Sequence, residues 1–378
     1  MTQPEPDAVI TSVDQVTPEW LTAALTSSGA LAAGSVAGVE PAAGIGNWSS
    51  NAILRVHYSV DARGACPTSL FLKMVTTDLG DDEFFGESEV AYYIRDYVDV
   101  PSAPLVRCHH AAYSEADHAY HLLLDDVSAT HCEASGRSPT LGHALALAGG
   151  MAALHARWWD VDQREGIDHG MPSTLQIRRF VDLSRDGLRP VLENRADDLA
   201  DHWPDLIRSV FDRHPAALID RSRRPAGFTI IHGDPGAANI LVPRQGDRPL
   251  YLIDRQPFDW SLTTWLGVYD LVYAAVLDWP VADRRRLEQP LLRRYHQQLR
   301  RHGVTEYSWT QLVADYRLMI PMGIYVAVEY CRDGSGVASR DVWLPYLQRT
   351  LTACDDHGCS ADSWPQTARS ADSGAEPG

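Results

Sequence analysis

The amino-acid sequence predicts an α+β protein of two lobes, β-rich in its N-terminal part and mainly helical in its C-terminal part. Three observations predict it. At 378 residues the chain exceeds the size at which a single hydrophobic core stops growing. Hydrophobic residues make up 45% and charged residues 22%, the balance of a soluble globular chain. Alternating apolar residues prevail up to residue 126, and from residue 140 onward apolar residues recur at helical spacing. The boundaries follow: an N-terminal lobe over 1–126, a C-terminal lobe over 127–354, and a disordered tail over 355–378 rich in Ser, Asp, Ala, Gly and Pro. A cleft between the lobes is the default place for a ligand.

In order along the chain, Thr17-Pro18-Glu19 is a helix start of cap, proline and acid, and Trp20, Leu21, Ala24 and Leu25 give the helix its apolar face. Ala52–Tyr58 alternates as a strand, and Ser69–Val75 reads as a buried strand with one charge inside it. Asp61-Ala62-Arg63-Gly64 turns between them. Glu87–Val98 reads as a helix, and Leu105–Cys108 and Tyr120–Asp126 read as strands. Leu141–Trp159 is a long amphipathic helix, followed by helices near 174–194 and 203–222. Short strands at Phe228–Ile231, Ile240–Val242 and Leu250–Ile253 interrupt the helical part. Helices then resume to residue 354, one starting at the cap Ser308 and broken at Pro321.

Charge and composition exclude several classes. A formal net charge of −17 argues against a nucleic-acid binder that works by neutralising phosphates. The stretch Met1-Thr2-Gln3-Pro4-Glu5 lacks the basic and apolar regions of a secretory signal, and no apolar run is long enough to span a membrane. Six scattered cysteines suit free thiols in a reducing cytoplasm. Cys354, His357 and Cys359 lack the tight four-ligand spacing of structural zinc. His109-His110 reads as a surface turn, and Trp158 and Trp159 as core residues. There is no serine nucleophile elbow, H-E-x-x-H zinc motif or Walker A loop.

One bias stands out: of 33 basic residues, Lys73 is the only lysine. Drift toward arginine spares a lysine where a compact ammonium on a flexible stem is required. Mid-strand between Leu72 and Met74, that ammonium needs an anionic partner, and Glu89 on the next helix can supply it and aim it at phosphate oxygens. The plainer alternative is a lysine snorkelling from an edge strand.

The densest pattern is His232-Gly233-Asp234-Pro235-Gly236-Ala237-Ala238-Asn239 followed by Ile253-Asp254, bounded by apolar strand ends. Two carboxylates and an amide oxygen, from Asp234, Asn239 and Asp254, converge as hard ligands that suit Mg²⁺, a cation that can bridge nucleotide phosphates. Asp234 precedes Asn239 by five positions, so it can face an incoming hydroxyl while Asn239 faces the metal. The alternative is that these residues only cap turns. Gly44-Ile45-Gly46-Asn47-Trp48-Ser49-Ser50-Asn51 is either a plain turn or a loop whose amides approach phosphates.

Together these motifs resemble the aminoglycoside phosphotransferase and choline kinase superfamily, which has a protein-kinase-like fold. The resemblance runs in order over residues 17–350, and the His232-Gly233-Asp234 motif with Asn239 and Asp254 carries its specificity. It implies ATP, with GTP left open, and Mg²⁺. Asp234 would be the catalytic base, and Asn239 and Asp254 the metal ligands. The nucleotide would lie against Lys73, Glu89 and the loop residues Gly44, Gly46, Ser49 and Ser50. Leu122–Ser128 is similar to the family's interlobe hinge, placing Asp125 and Val127 at the adenine, and Asp270-Leu271 to its loop-buttressing helix start. Gly236 stands where protein serine/threonine kinases carry a lysine, which points to a small-molecule acceptor. Arg255 follows the metal Asp where an aromatic or Gly-bearing sequence is usual; it either contacts phosphate or substrate or points outward.

The function implied is phosphoryl transfer from ATP to a hydroxyl of a small molecule, an aminoglycoside or another hydroxylated antibiotic first. A metabolic kinase for choline-like, sugar or nucleoside acceptors, or a nucleotide-binding module without turnover, are the alternatives. Acceptor candidates in the helical lobe are Asp259, Asp278, Glu329 and Asp333, and several of them facing one cleft would favour a cationic acceptor. Trp260 and Trp265 either stack on a ring or belong to the core. The sequence leaves the oligomeric state open.

Overall fold

The computed structural model describes residues 8–45, 49–78, 84–100, 102–159, 170–194, 198–258, 261–332 and 340–359. They form two compact units, each assembled from several stretches of chain. The first contains Met1–Trp158, His232–Thr263 and Leu287–Val304; the second contains Trp159–Ile231, Thr264–Arg286 and Thr305–Gly378. The units therefore interleave along the chain instead of meeting once near residue 126.

The first unit is built on a five-stranded antiparallel sheet. Its strands are β2 (Val36–Ile45), β3 (Ser49–Tyr58), β5 (Ser69–Thr76), β6 (Cys108–Ser114) and β7 (Ala119–Asp125), in the order β2-β3-β5-β7-β6. Short strands β1 (Leu31–Ala33) and β4 (Arg63–Gly64) pair beside it. Helix α1 (Pro18–Ser27) starts as the sequence dictates, with Thr17 Oγ1 accepting from the Trp20 amide at 3.2 Å. Its Trp20, Leu21 and Leu25 pack with Leu54, Val56, Leu70, Leu72, Met74 and Leu123 in one core cluster. Each fully buried leucine there contributes roughly 1.5–3 kcal/mol. Because side chains alternate along a strand, Lys73 lies on the opposite face of β5 from Leu72 and Met74.

That second face meets the segment after β5. The helix expected over Glu87–Val98 is a single α turn, α2 (Ser88–Ala91), continued as a π turn over Tyr92–Asp96. The strand expected at Leu105–Cys108 begins where that stretch ends, at Cys108, because Leu105 turns back to bond the Ala103 carbonyl. Helix α3 (Leu141–Arg157) is capped by Thr140, and strand β8 (His131–Glu133) joins β10 (Ile240–Pro243) and β11 (Tyr251–Leu252) in a small antiparallel sheet.

In the second unit, β9 (Phe228–Ile230) pairs with β12 (Thr264–Leu266). Helices α4 (Thr174–Asn194), α5 (Trp203–Arg221), α6 (Val268–Val272, running on as a π turn to Asp278), α8 (Trp309–Met319), α9 (Met322–Glu329) and α10 (Arg340–His357) make up the rest, and α7 (Val281–Arg301) passes from this unit into the first. The break at Pro321 falls between α8 and α9, as the proline requires. Helix α10 continues past the boundary drawn at residue 354: Asp355 accepts from His202 and Trp203, and Arg285 pairs with Asp356 at 2.8 Å. No helix among the described residues is long and apolar enough to cross a membrane.

Candidate active site

The site begins with the charge on β5. Lys73 Nζ donates to Glu89 Oε1 at 2.8 Å, to Glu89 Oε2 at 2.9 Å and to Asp254 Oδ1 at 2.8 Å. Glu89, on α2, is 1% exposed, and the hydroxyl of Tyr120 also donates to its Oε2. Tyr120 reaches it because Leu122, two residues on, is the register partner of Lys73, so Tyr120 and Lys73 share a face of the sheet. Burial opposes the charge on Lys73, but the Glu89 and Asp254 carboxylates outweigh it and hold the ammonium above its ordinary pKa. Burial raises the Glu89 carboxyl, and Lys73 works against that rise.

The second part of the site is the loop after β9. His232 is 1% exposed and donates through Nε2 to the Ile253 carbonyl at 2.9 Å, while its own carbonyl accepts from the Gln256 amide at 3.0 Å. Gly233, at φ +86°, turns the chain so that Asp234 follows half-buried. Asn239 Nδ2 donates to the Asp234 carbonyl at 2.8 Å and to its Oδ2 at 3.1 Å, and the Asn239 carbonyl accepts from the Ile253 amide at 3.0 Å. Pairing of Ile240 with Leu252 and of Leu241 with Tyr251 brings Asp254 back beside that loop. Asp254 itself sits at φ +56°, a left-handed conformation unusual for a residue with a Cβ. Lys73, Glu89, Asp234, Asn239 and Asp254 thus form one connected set within the first unit.

The donor set suits a hard divalent cation. With its Nδ2 turned to Asp234, Asn239 presents an amide oxygen on the other side, and Asp254 adds a half-exposed carboxylate. Among the described residues no group of three or more His, Cys, Asp or Glu side chains is arranged to hold a metal ion.

Other expectations fare differently. Gly44 belongs to β2, and Ser49 and Ser50 to β3, the two paired strands that flank the candidate phosphate loop; Gly46, Asn47 and Trp48 lie outside the described residues. Gly44 pairs with Asn51, and Asn51 with Lys73, which puts Gly44 on the same cross-sheet row as the lysine. In the expected hinge, Asp125 accepts from His109 at 2.8 Å and the Val127 carbonyl accepts from the His131 amide at 2.8 Å. Asp278 and Glu329 fall in the second unit, Glu329 pairing with Arg332 at 3.4 Å, and Asp270 is fully buried there at the start of α6. Asp259, Trp260 and Asp333 lie outside the described residues. Trp265 is core, at 1% exposure.

Two readings are corrected. His109 is no surface residue: it is buried between Ser28 and Asp125, and His110 stacks on His121 with ring centroids 5.0 Å apart. Arg255 neither points outward nor enters the candidate site. It is 1% exposed and donates to Asp96 Oδ2 at 2.7 Å. Asp96 and Tyr120 are the residues the sequence did not reveal; an acid seven positions after Glu89 on the same helical segment was the available signal.

No protein-family model matches the sequence, and no curated protein does. Solved structures do match in fold. The chain is similar to choline kinase from Cryptosporidium parvum Iowa II, with a TM-score of 0.55 and 11% identity over 86% of this chain and 93% of that one. A glucosamine kinase in complex with glucosamine, ADP and inorganic phosphate gives 0.53 and 14%, over 89% and 84% of the two chains. Plasmodium vivax ethanolamine kinase gives 0.50 and 13%, over 83% and 81%. The chain therefore shares the fold of these small-molecule kinases, with a β-rich N-terminal part and a mainly helical C-terminal part.

Proposed function

We propose that this chain, starting from that fold, is an ATP- and Mg²⁺-dependent O-phosphotransferase that acts on a hydroxyl of a small, amine-bearing molecule. One observation carries the reading: Lys73 bridges Glu89 to Asp254, while Asn239 holds Asp234 and is tied through its backbone to the residue before Asp254. The two counter-ions of Lys73 come from different parts of the chain, Glu89 after β5 and Asp254 after β11.

In this reading Asp234 orients the acceptor hydroxyl and takes its proton, and Asn239 fixes the rotamer of that carboxylate through Nδ2. Lys73, held by Glu89, offers its ammonium to the nucleotide phosphates. Asn239 and Asp254 would hold Mg²⁺, which when bound supplies positive charge to the phosphate oxygens. Gly44, Gly46, Ser49 and Ser50, with the segment carrying Asp125 and Val127, would supply the rest of the nucleotide site. Gly236, where protein kinases carry a cation, leaves room for a small acceptor. Because the chain carries a formal charge of −17, a cationic acceptor gains from its field. Aminoglycosides belong to that class, as do choline-like and amino-sugar metabolites. Six free cysteines fit a reducing, cytoplasmic setting.

The test is nucleoside-diphosphate release from ATP or GTP with Mg²⁺, screened against aminoglycosides, amino sugars, amino alcohols and nucleosides. Release that depends on one acceptor class supports the reading and names the class. Nucleotide binding without release for any acceptor would leave a binding module instead.

A further inference from the structure

Behind the site just proposed, and resting on that reading, we infer that Arg255 and Asp96 are positioning residues: a buried ion pair that locks Asp254, the proposed metal ligand, against the segment carrying Glu89. Arg255 is among the largest fully buried side chains described. Its Nη1 donates to Asp96 Oδ2 at 2.7 Å and to the Ser88 carbonyl at 3.3 Å, and its guanidinium lies 5.7 Å from the ring centroid of Tyr92. Residues 88, 92 and 96 recur every four positions, so Arg255 lies along one side of the segment from α2 into its π turn. Asp96 is fixed in turn: Arg95 Nε donates to its Oδ1 at 2.9 Å, and the Trp158 indole donates to its carbonyl at 2.9 Å.

The result is a closed ring. Glu89 pairs with Lys73, Lys73 with Asp254, Arg255 follows Asp254 in the chain and pairs with Asp96, and Asp96 returns to Glu89 through one helical segment. The ring also accounts for the backbone of Asp254. Its left-handed φ of +56° stores strain that persists only when its surroundings over-determine it. The residue before it is held by His232 and Asn239; the residues after it are held by Asp96, by His232 and by the Ser88 hydroxyl, which donates to the Gln256 carbonyl at 3.0 Å. A buried ion pair is a poor device for stability alone, because well-packed apolar residues usually serve as well or better. Its use here is to specify one position of Asp254 relative to Glu89.

Removing one partner would strand the other charge, so the informative variant is Asp96→Leu/Arg255→Met, which removes both. The measurements are thermal unfolding and calorimetric binding of ADP, with Mg²⁺ and with EDTA. The wild type is expected to bind ADP more tightly with Mg²⁺. The double variant is expected to fold and to bind ADP in EDTA as the wild type does, but to lose about tenfold or more of the Mg²⁺-dependent gain, the usual cost of losing a partner behind a metal ligand. A folded double variant that keeps the full gain overturns the proposal. Arg255→Lys keeps both charges and serves where the double variant does not fold: an ammonium lacks the guanidinium fork that reaches Asp96 and the Ser88 carbonyl together, a loss of about tenfold is expected, and an unchanged gain overturns the inference. A wild type with no Mg²⁺-dependent gain overturns the metal-site reading itself, and the inference with it.

Discussion

Lys73 shows how much one residue can disclose through its type and its neighbours. As the only lysine in a chain of arginines, placed mid-strand among apolar residues, it required a carboxylate, and Glu89 supplies one at 2.8 Å. What the sequence could not show is that Asp254 supplies a second, since that depends on how β10 and β11 return the chain. Lys73→Met leaves Glu89 buried without its ammonium and is expected to cost about 3–5 kcal/mol. Urea unfolding checks it, and Lys73→Met/Glu89→Gln should recover most of that loss. A second residue adds to the loss of stability in acid. His214 is buried in the second unit, donating through Nε2 to the Leu318 carbonyl at 2.7 Å, and burial pushes its pKa down to about 4. A folded pKa below the unfolded value of about 6.5 means that the stabilisation is present above pH 6.5 and is lost as the pH falls through about 4. His214→Gln is therefore expected to flatten the fall in stability across that window, by about 3 kcal/mol in total. Unfolding midpoints of the two proteins at several pH values give the comparison.

At the scale of elements, legibility followed the hydrophobic pattern. β3, β5 and β7 are inner strands with apolar alternation or continuous apolar runs, and the sequence predicted all three. The edge strands escaped. β2 carries Pro41, tolerated only where one side of the strand needs no partner, and β6 is a polar run, Cys108-His109-His110, whose histidines are bonded to Asp125 and His121. The helix after β5 read as ordinary because periodicity does not distinguish an α turn from a π turn, a form frequent at functional sites. Packing between elements is equally silent in sequence until it meets a glycine. A Cβ built on Gly187 of α4 would collide with the Val328 carbonyl of α9. Gly187→Ala is expected to destabilise the protein by about 1–3 kcal/mol, although alanine is the better helix former. A rise in thermal midpoint instead would show that the two helices can separate without cost.

For the molecule as a whole, the order of motifs predicted the fold, while the interleaving of the two units emerged only in the folded chain, because chain crossings leave no mark on local pattern. Most of the candidate site was legible for a related reason: the phosphoryl transfer proposed for it would need few residue types at fixed spacing, and Asp234, Asn239 and Asp254 stand out in the sequence. Arg255 and Asp96 do not, since a pair 159 positions apart is visible only once folded. The most direct measurement of the central claim is transfer of labelled γ-phosphate from ATP to the recovered acceptor, by wild type and Asp234→Asn, with nucleotide affinity measured on the same samples. The account predicts labelled acceptor from the wild type, a fall in rate of about a hundredfold or more in Asp234→Asn, and similar nucleotide affinity in both. Transfer by Asp234→Asn at the wild-type rate would contradict it.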